Sequence, residues 1–230
     1  MTDLVVVVPS RGRPQAAREL AEAFADTCTA DTQLVFSLDD DDPTLDQYPE
    51  PRLVGPNRSM VEALNAAAVA YARGLLGLLD APFAVGFLGD DHRPRTKGWD
   101  ASYLEALREL GSGIVYGNDL LQRAELPTQC AMTTDIVTAL GYMAPPALTH
   151  LYVDNVWLEL GRRAECGRYL PDVVVEHCHP IAGKAAWDEG YERVNNAAMY
   201  RRDEQAFLNY FVCGLTGDVM KIRALRTVRA

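Results

Sequence analysis

The sequence predicts an α/β domain whose sheet is mixed but mostly parallel and flanked by helices. Three observations carry that reading. Residues 4–8, Leu-Val-Val-Val-Val, form an apolar run without polar alternation, the pattern of a strand buried on both faces. Residues 83–88, Phe-Ala-Val-Gly-Phe-Leu, form a second such run. Around them, strand-like and helix-like stretches alternate through the first half of the chain, as βαβ units require.

The elements follow in order. The first strand stops at Pro9-Ser10-Arg11-Gly12-Arg13-Pro14. Pro14 suits a first helical turn, and Ala17, Leu20, Ala21 and Phe24 recur at helical spacing. Residues 33–38 read as a second strand, closed by Asp39-Asp40-Asp41-Asp42-Pro43. Ser59 and Glu62 fit a capping box opening an alanine-rich helix to about Arg73. The run at 83–88 then leads into Gly89-Asp90-Asp91-His92. A helix at 99–110 stops at Gly111, a strand covers 113–116, and a short helix at 133–140 ends at Gly141. Residues 155–163 are helical, and 172–176 form a strand ending in His177-Cys178-His179-Pro180. Periodicity over 197–212 predicts a helix that could pack as an arm or as a homodimer contact. No repeat or low-complexity linker interrupts the chain, so residues 1–182 read as one domain and 183–230 as a C-terminal helical extension.

Composition narrows the function classes. With 48% hydrophobic and 23% charged residues, the chain is neither disordered nor membrane-embedded in character. No apolar stretch reaches spanning length and no leader pattern opens the sequence, so a cytoplasmic protein is expected. The five cysteines, Cys28, Cys130, Cys166, Cys178 and Cys213, lack a CxxC pair and read as reduced thiols. A formal net charge of -10 repels polyanions. The basic stretch from Lys221 onward reads as a solvated tail.

Four strand ends carry candidate chemistry, since open α/β sheets bind ligands there. Arg11 and Arg13 flank Gly12 at a strand-to-helix turn, where guanidinium groups and a helix N-terminus can hold phosphate. Within the acidic run, Asp39 or Asp40 could receive a base or a ribose, while the rest read as a solvated turn. Asp90 and Asp91 are adjacent carboxylates, which repel each other unless a cation or hydrogen-bond donors compensate. A hard divalent metal is the expected compensation. His177 and His179, two residues apart on an extended segment, point the same way, and either could complete a site begun at Asp91. Oxygen plus imidazole ligation suits Mn2+ or Mg2+. Asp154 could cap the helix that follows it or face the cleft as a general base.

Together these residues resemble the GT-A glycosyltransferases, in particular the large inverting family of polysaccharide and glycolipid sugar transferases. The resemblance spans residues 4–182. It rests on Val5-Val6-Val7-Val8-Pro9-Ser10-Arg11-Gly12-Arg13-Pro14, on Phe87-Leu88-Gly89-Asp90-Asp91 with Gly98-Trp99 downstream, and on Asp154-Asn155-Val156-Trp157 through His177-Cys178-His179-Pro180. The first position of a strict DxD is Gly89 here, and Asn155 stands where relatives often carry a second acid. The chain also looks like glycosyltransferases encoded by tailed phages of actinobacteria, which implies the host cytoplasm as its compartment.

The resemblance implies a Rossmann-like nucleotide-binding domain and a nucleotide-diphosphate-sugar donor. Pro9, Ser10, Arg11, Arg13, Arg58 and Asp39 or Asp40 would lie on the nucleotide side, with Asp90 on the ribose. Asp91 would hold Mn2+ or Mg2+ with His177 or His179, and Asp154 would be the catalytic base. The acceptor would be a modified DNA base, a small metabolite or a glycan. Two other readings are a metal-dependent nucleotidyltransferase, which normally carries a glycine-rich phosphate loop, and a non-catalytic sugar-nucleotide-binding protein.

Overall fold

A computed structural model of the chain describes residues 2–76, 81–184 and 187–229. Its strands are β1 (Leu4–Ser10), β2 (Thr32–Asp39), β3 (Arg52–Gly55), β4 (Ala84–Phe87), β5 (His92–Pro94), β6 (Ile114–Asn118), β7 (Cys130–Thr133) and β8 (Gly167–His177). They form one mixed sheet in the order β3-β2-β1-β4-β7-β6-β8-β5. β1 pairs in parallel with β2 and β4, β2 with β3, and β6 with β8. β7 runs antiparallel to both β4 and β6, so β6 and β8 share the direction of β1. Only β5, antiparallel to β8, and β7 run the other way. The C-terminal ends of β1, β2, β4, β6 and β8 therefore meet at a single rim.

The helices are α1 (Pro14–Thr27), α2 (Met60–Ala72), α3 (Trp99–Leu110), α4 (Thr134–Leu140), α5 (Val153–Arg163), α6 (Glu189–Val194), α7 (Ala197–Cys213) and α8 (Leu215–Arg229). Alternate residues of β1 point to opposite faces, and both faces are covered. Val5 and Val7 pack with residues of α2, α4, α5 and α8, whereas Leu4, Val6 and Val8 pack with those of α1 and α3. Trp99, placed by resemblance in a family motif, is a core residue set edge-on against Phe24 and Tyr103.

Local signals are met with two shifts. Ser59 Oγ accepts from the Glu62 N–H at 3.1 Å, but the Glu62 carboxylate reaches back to the Arg58 N–H, one residue before the box position. α5 begins at Val153 with Tyr152 as its cap residue, so Asp154 lies inside the first turn rather than capping it.

The basic C-terminal stretch is not a solvated tail. It forms α8, because Leu215, Val219 and Ile222 repeat at helical spacing and bury in the core cluster that includes α4 and α5. Arg223 adds a bond from its guanidinium to the Arg163 carbonyl at 2.6 Å. No helix among the described residues is long and apolar enough to cross a membrane.

α7 is tied to the rim by one acid. Asp203, fully buried, accepts the backbone N–H groups of Thr149 (3.1 Å), His150 (2.8 Å) and Leu151 (2.8 Å). Asp203→Ala would orphan all three donors, which should cost about 3 kcal/mol. Thermal unfolding should show this as a fall in Tm of roughly 6–12 °C.

Candidate active site

A cleft of about 570 Å3 opens at the rim where the parallel strands end. Its centre is the turn after β4. Gly89 permits that turn, because a Cβ there would stand 2.6 Å from Asp91 Oδ1. The turn sends its two buried carboxylates to different partners. Asp90 accepts from Ser10 Oγ at 2.5 Å and pairs with Arg13 at 3.1 Å. Burial raises its carboxyl above the ordinary range, with Arg13 opposing and the charge of Asp91 adding to the rise. Asp91 faces His177 Nε2 at 3.3 Å, and its other oxygen lies 3.4 Å from His92 Nδ1. Burial alone would raise Asp91, but the two imidazoles beside it, His177 first, hold it well below that range.

The imidazoles come together because β5 pairs with β8, with His92 opposite His177 in register. Their rings stack at 4.3 Å and 13°. Donor atoms of Asp91, His92 and His177 all lie within 4.8 Å of one another. The three are not equivalent, however. His92 Nδ1 accepts the Gly89 N–H at 3.0 Å, and burial, with the charge of His177, lowers the pKa of the ring. For His177, burial lowers the pKa but the bond to Asp91 outweighs it, and the net shift is upward. His177 Nδ1 is buried without a partner, so that nitrogen is not committed to another bond. His179 also lines the cleft, but its Nδ1 accepts from the Ile181 N–H at 3.2 Å and caps a short turn. Only its Nε2 remains for a ligand.

On the β1 side, the arginine loop is organised by acids from the loop after β2. Arg11 pairs with Asp39 at 3.0 Å and also with Asp41. Asp42 is not solvated. It is buried and accepts the Gly12 N–H and the Thr44 N–H, each at 2.8 Å, tying the two loops together. Pro9, Ser10, Arg11, Arg13, Asp39 and Arg58 all line the cleft. Asp40 instead turns out to solvent beside Arg58, at 3.3 Å. Of the two sequence alternatives, only Asp39 faces the cleft.

Tyr191 of α6 carried no signal in the sequence. It is buried, donates to Asp91 Oδ2 at 2.7 Å, accepts from Arg13 at 3.0 Å, and its ring lies under the Arg13 guanidinium at 4.3 Å. The segment C-terminal to β8 thus closes directly over the Asp pair. His150 was also missed. It lines the cleft, and burial pushes it down to about 4 against the pull of Asp203 and Asp91.

Across the cleft, Asp154 sits half-buried beside the floor formed by Phe87 and Trp157, whose rings pack at 5.2 Å. Burial raises the Asp154 carboxyl, opposed by the Asn155 N–H and the charge of His177. One of its oxygens accepts that N–H at 2.9 Å. The site therefore has an arginine-rich wall, a paired acid and imidazole at its centre, and a carboxylate of raised pKa on the far wall.

No protein-family model and no curated protein matches the sequence. Solved structures match its shape across nearly the whole chain. The mannosyltransferase PcManGT from Pyrobaculum calidifontis, in complex with GDP-Man and Mn2+, superposes with a TM-score of 0.60 at 12% identity, over 97% of this chain and 73% of its own. Glucosyl-3-phosphoglycerate synthase from Mycobacterium tuberculosis, in complex with Mg2+ and UDP, gives 0.61 at 13% identity, over 90% and 79%. The chain has the GT-A fold. S. aureus TarS 1-349, in complex with UDP-GlcNAc, gives 0.58 at 14% identity, over 100% and 72%. These GT-A neighbours are nucleotide-sugar glycosyltransferases. The antiparallel β7 and β5 complete the chain's mixed sheet, and β5 brings His92 against His177.

Proposed function

We propose that this protein is a metal-dependent glycosyltransferase moving a sugar from a nucleotide-diphosphate-sugar donor to an acceptor hydroxyl. The observation that supports this most is the pairing of Asp91 with His177, 3.3 Å apart, next to an arginine loop suited to phosphate. The donor set fits a divalent ion. A carboxylate and an imidazole with further positions open suit Mn2+ or Mg2+, and the uncommitted Nδ1 leaves His177 free to present Nε2. Asp91 and His177 would hold the ion, with His179 Nε2 available on the same wall; His92 gives its Nδ1 to the turn, and its Nε2 is buried without a partner. When bound, such an ion supplies charge neutralisation for the departing diphosphate.

The chain's own residues do the rest. Ser10 and Arg13 fix Asp90, which would receive the ribose hydroxyls. Asp39 would receive the base, and Pro9 with Arg11 would shape the nucleotide wall. Arg13 and Arg58 would offer charge-assisted donors to phosphate oxygens. Asp154, whose carboxyl pKa burial raises, would deprotonate the acceptor hydroxyl in an inverting reaction.

Tyr191 is expected to compete with the ion, since its hydroxyl occupies Asp91 Oδ2. Removing that bond in Tyr191→Phe should tighten Mn2+ binding about fivefold, as expected for one hydrogen bond of about 1 kcal/mol. Calorimetric titration with MnCl2 checks this, and unchanged or weaker affinity would show that Tyr191 does not guard the site.

Incubation with Mn2+ and a panel of nucleotide sugars tests the proposal as a whole. Slow release of the nucleoside diphosphate is the expected result. Pyrophosphate release from a nucleoside triphosphate would favour nucleotidyl transfer, and binding without turnover would favour a non-catalytic protein.

A further inference from the structure

The half of the cleft away from the arginine loop has a chemistry of its own. Part of its wall is the loop after β6, built around Asp119. That carboxylate is buried and accepts the N–H groups of Leu121 (2.9 Å), Gln122 (2.7 Å) and Arg123 (2.7 Å), together with the Thr128 hydroxyl (2.8 Å). Leu120 and Arg123 are held at φ 60° and 54°, and Tyr152, at the head of α5, at φ 65°. Such a conformation in a non-glycine residue is costly and persists only where its surroundings over-determine it. This wall is therefore set before any ligand arrives.

The set wall brings Leu121, Leu126 and Tyr152 to the cleft that Asp154 also lines, and Tyr200 of α7, an exposed side chain, lines it as well. Tyr152 is itself stacked on Phe207 of α7 at 5.5 Å and 18°, so its ring cannot swing freely. Arg123 belongs to the wall's loop without lining the cleft, and among the described residues that line this half the one Lys or Arg is Arg193, exposed in the last turn of α6. The other arginines lining the cleft, Arg11, Arg13 and Arg58, belong to the donor side.

We infer that this half is the acceptor subsite, and that it takes an uncharged molecule presenting a flat apolar face beside the hydroxyl that meets Asp154. The inference rests on the glycosyl-transfer reading and adds the acceptor class to it. Flat apolar faces occur on the C–H side of a sugar ring and on an aromatic ring, and both pack on tyrosine. A phosphorylated acceptor would want several charge-assisted donors and would instead meet the carboxylates of Asp154 and Asp91. A nucleic-acid strand would further meet a chain of net charge -10.

Calorimetry on the full chain with Mg2+ and UDP tests this, with methyl and phenyl glucosides, 3-phosphoglycerate and a short single-stranded DNA as probes. The glucosides should bind at least tenfold more tightly than either anion. Comparable affinity for methyl and phenyl glucoside identifies the sugar face as the recognised element, whereas a requirement for the phenyl group identifies an aromatic ring. Tyr200→Ala should weaken glucoside binding about tenfold, and Tyr200→Phe should retain it. Tighter binding of 3-phosphoglycerate or DNA, no glucoside binding, or glucoside binding indifferent to Tyr200→Ala would each overturn the inference. The donor reading fails separately: if neither UDP nor GDP raises Tm with Mg2+ or Mn2+ while glucosides still bind through Tyr200, transfer is refuted and a neutral-sugar subsite stands.

Discussion

Replacing Asp91 by alanine should cut nucleoside-diphosphate release from the donor by roughly a hundred- to a thousandfold, the usual cost of losing one preorganised electrostatic group. Asp91 is the one acid whose oxygens face both imidazoles and the Tyr191 hydroxyl, and those contacts hold it ionised despite burial. No neighbour can replace it, because Asp90 is committed to Ser10 and Arg13. Asp91→Asn separates charge from shape. The amide keeps the side-chain volume and a partner for Tyr191, so far-ultraviolet circular dichroism should be unchanged while turnover is lost. Full turnover with unaltered metal dependence in either variant would remove Asp91 from the site.

Asp154→Asn should have an effect at least as large, lowering transfer by roughly 10²- to 10⁴-fold, the range for loss of a positioned general base. It should do so by a different route. Asp154 lies across the cleft from the arginine loop, so nucleotide binding measured by calorimetry should stay within about twofold of wild type. The change should fall on kcat rather than on the donor KM. Asparagine can still accept the Asn155 N–H, so helix α5 should start normally and Tm should change little. A variant that loses donor affinity while keeping kcat would place Asp154 in donor binding instead of proton transfer.

The parts of this fold that could be read from sequence are those in which local chemistry and tertiary placement agree. Residues 4–8 are apolar at every position because both faces of β1 are covered, and Gly111 and Gly141 end helices where their positive φ is needed. β3, β5 and β7 were not legible. They are three or four residues long, and His92-Arg93-Pro94 carries two polar side chains and a proline. Only pairing with β8 makes that tripeptide a strand. α8 was hidden because its apolar stripe, Leu215, Val219 and Ile222, is narrow and runs into the basic residues from Lys221 onward.

The acids divide in the same way. Asp90 and Asp91 stood out because two adjacent charges after a buried strand need compensation. Asp42, Asp119 and Asp203 look in sequence like solvated carboxylates, yet each is buried and accepts backbone N–H groups from its own or a neighbouring loop. Tyr191 had no local signature, since its role arises only where α6 folds back over β4. His177 was legible and its partner His92 was not, because their meeting depends on a register that the linear chain does not display.

The central claim is that Asp91 and His177 form a divalent-metal site that receives a nucleoside diphosphate. Its most direct test is thermal unfolding with GDP or UDP, with and without Mn2+, in the wild-type protein and in Asp91→Asn, because a ligand that binds only the folded state raises Tm. A nucleotide-dependent rise that needs Mn2+ and disappears in Asp91→Asn is the predicted result. A rise of equal size without the ion, or one that survives the substitution, would contradict it.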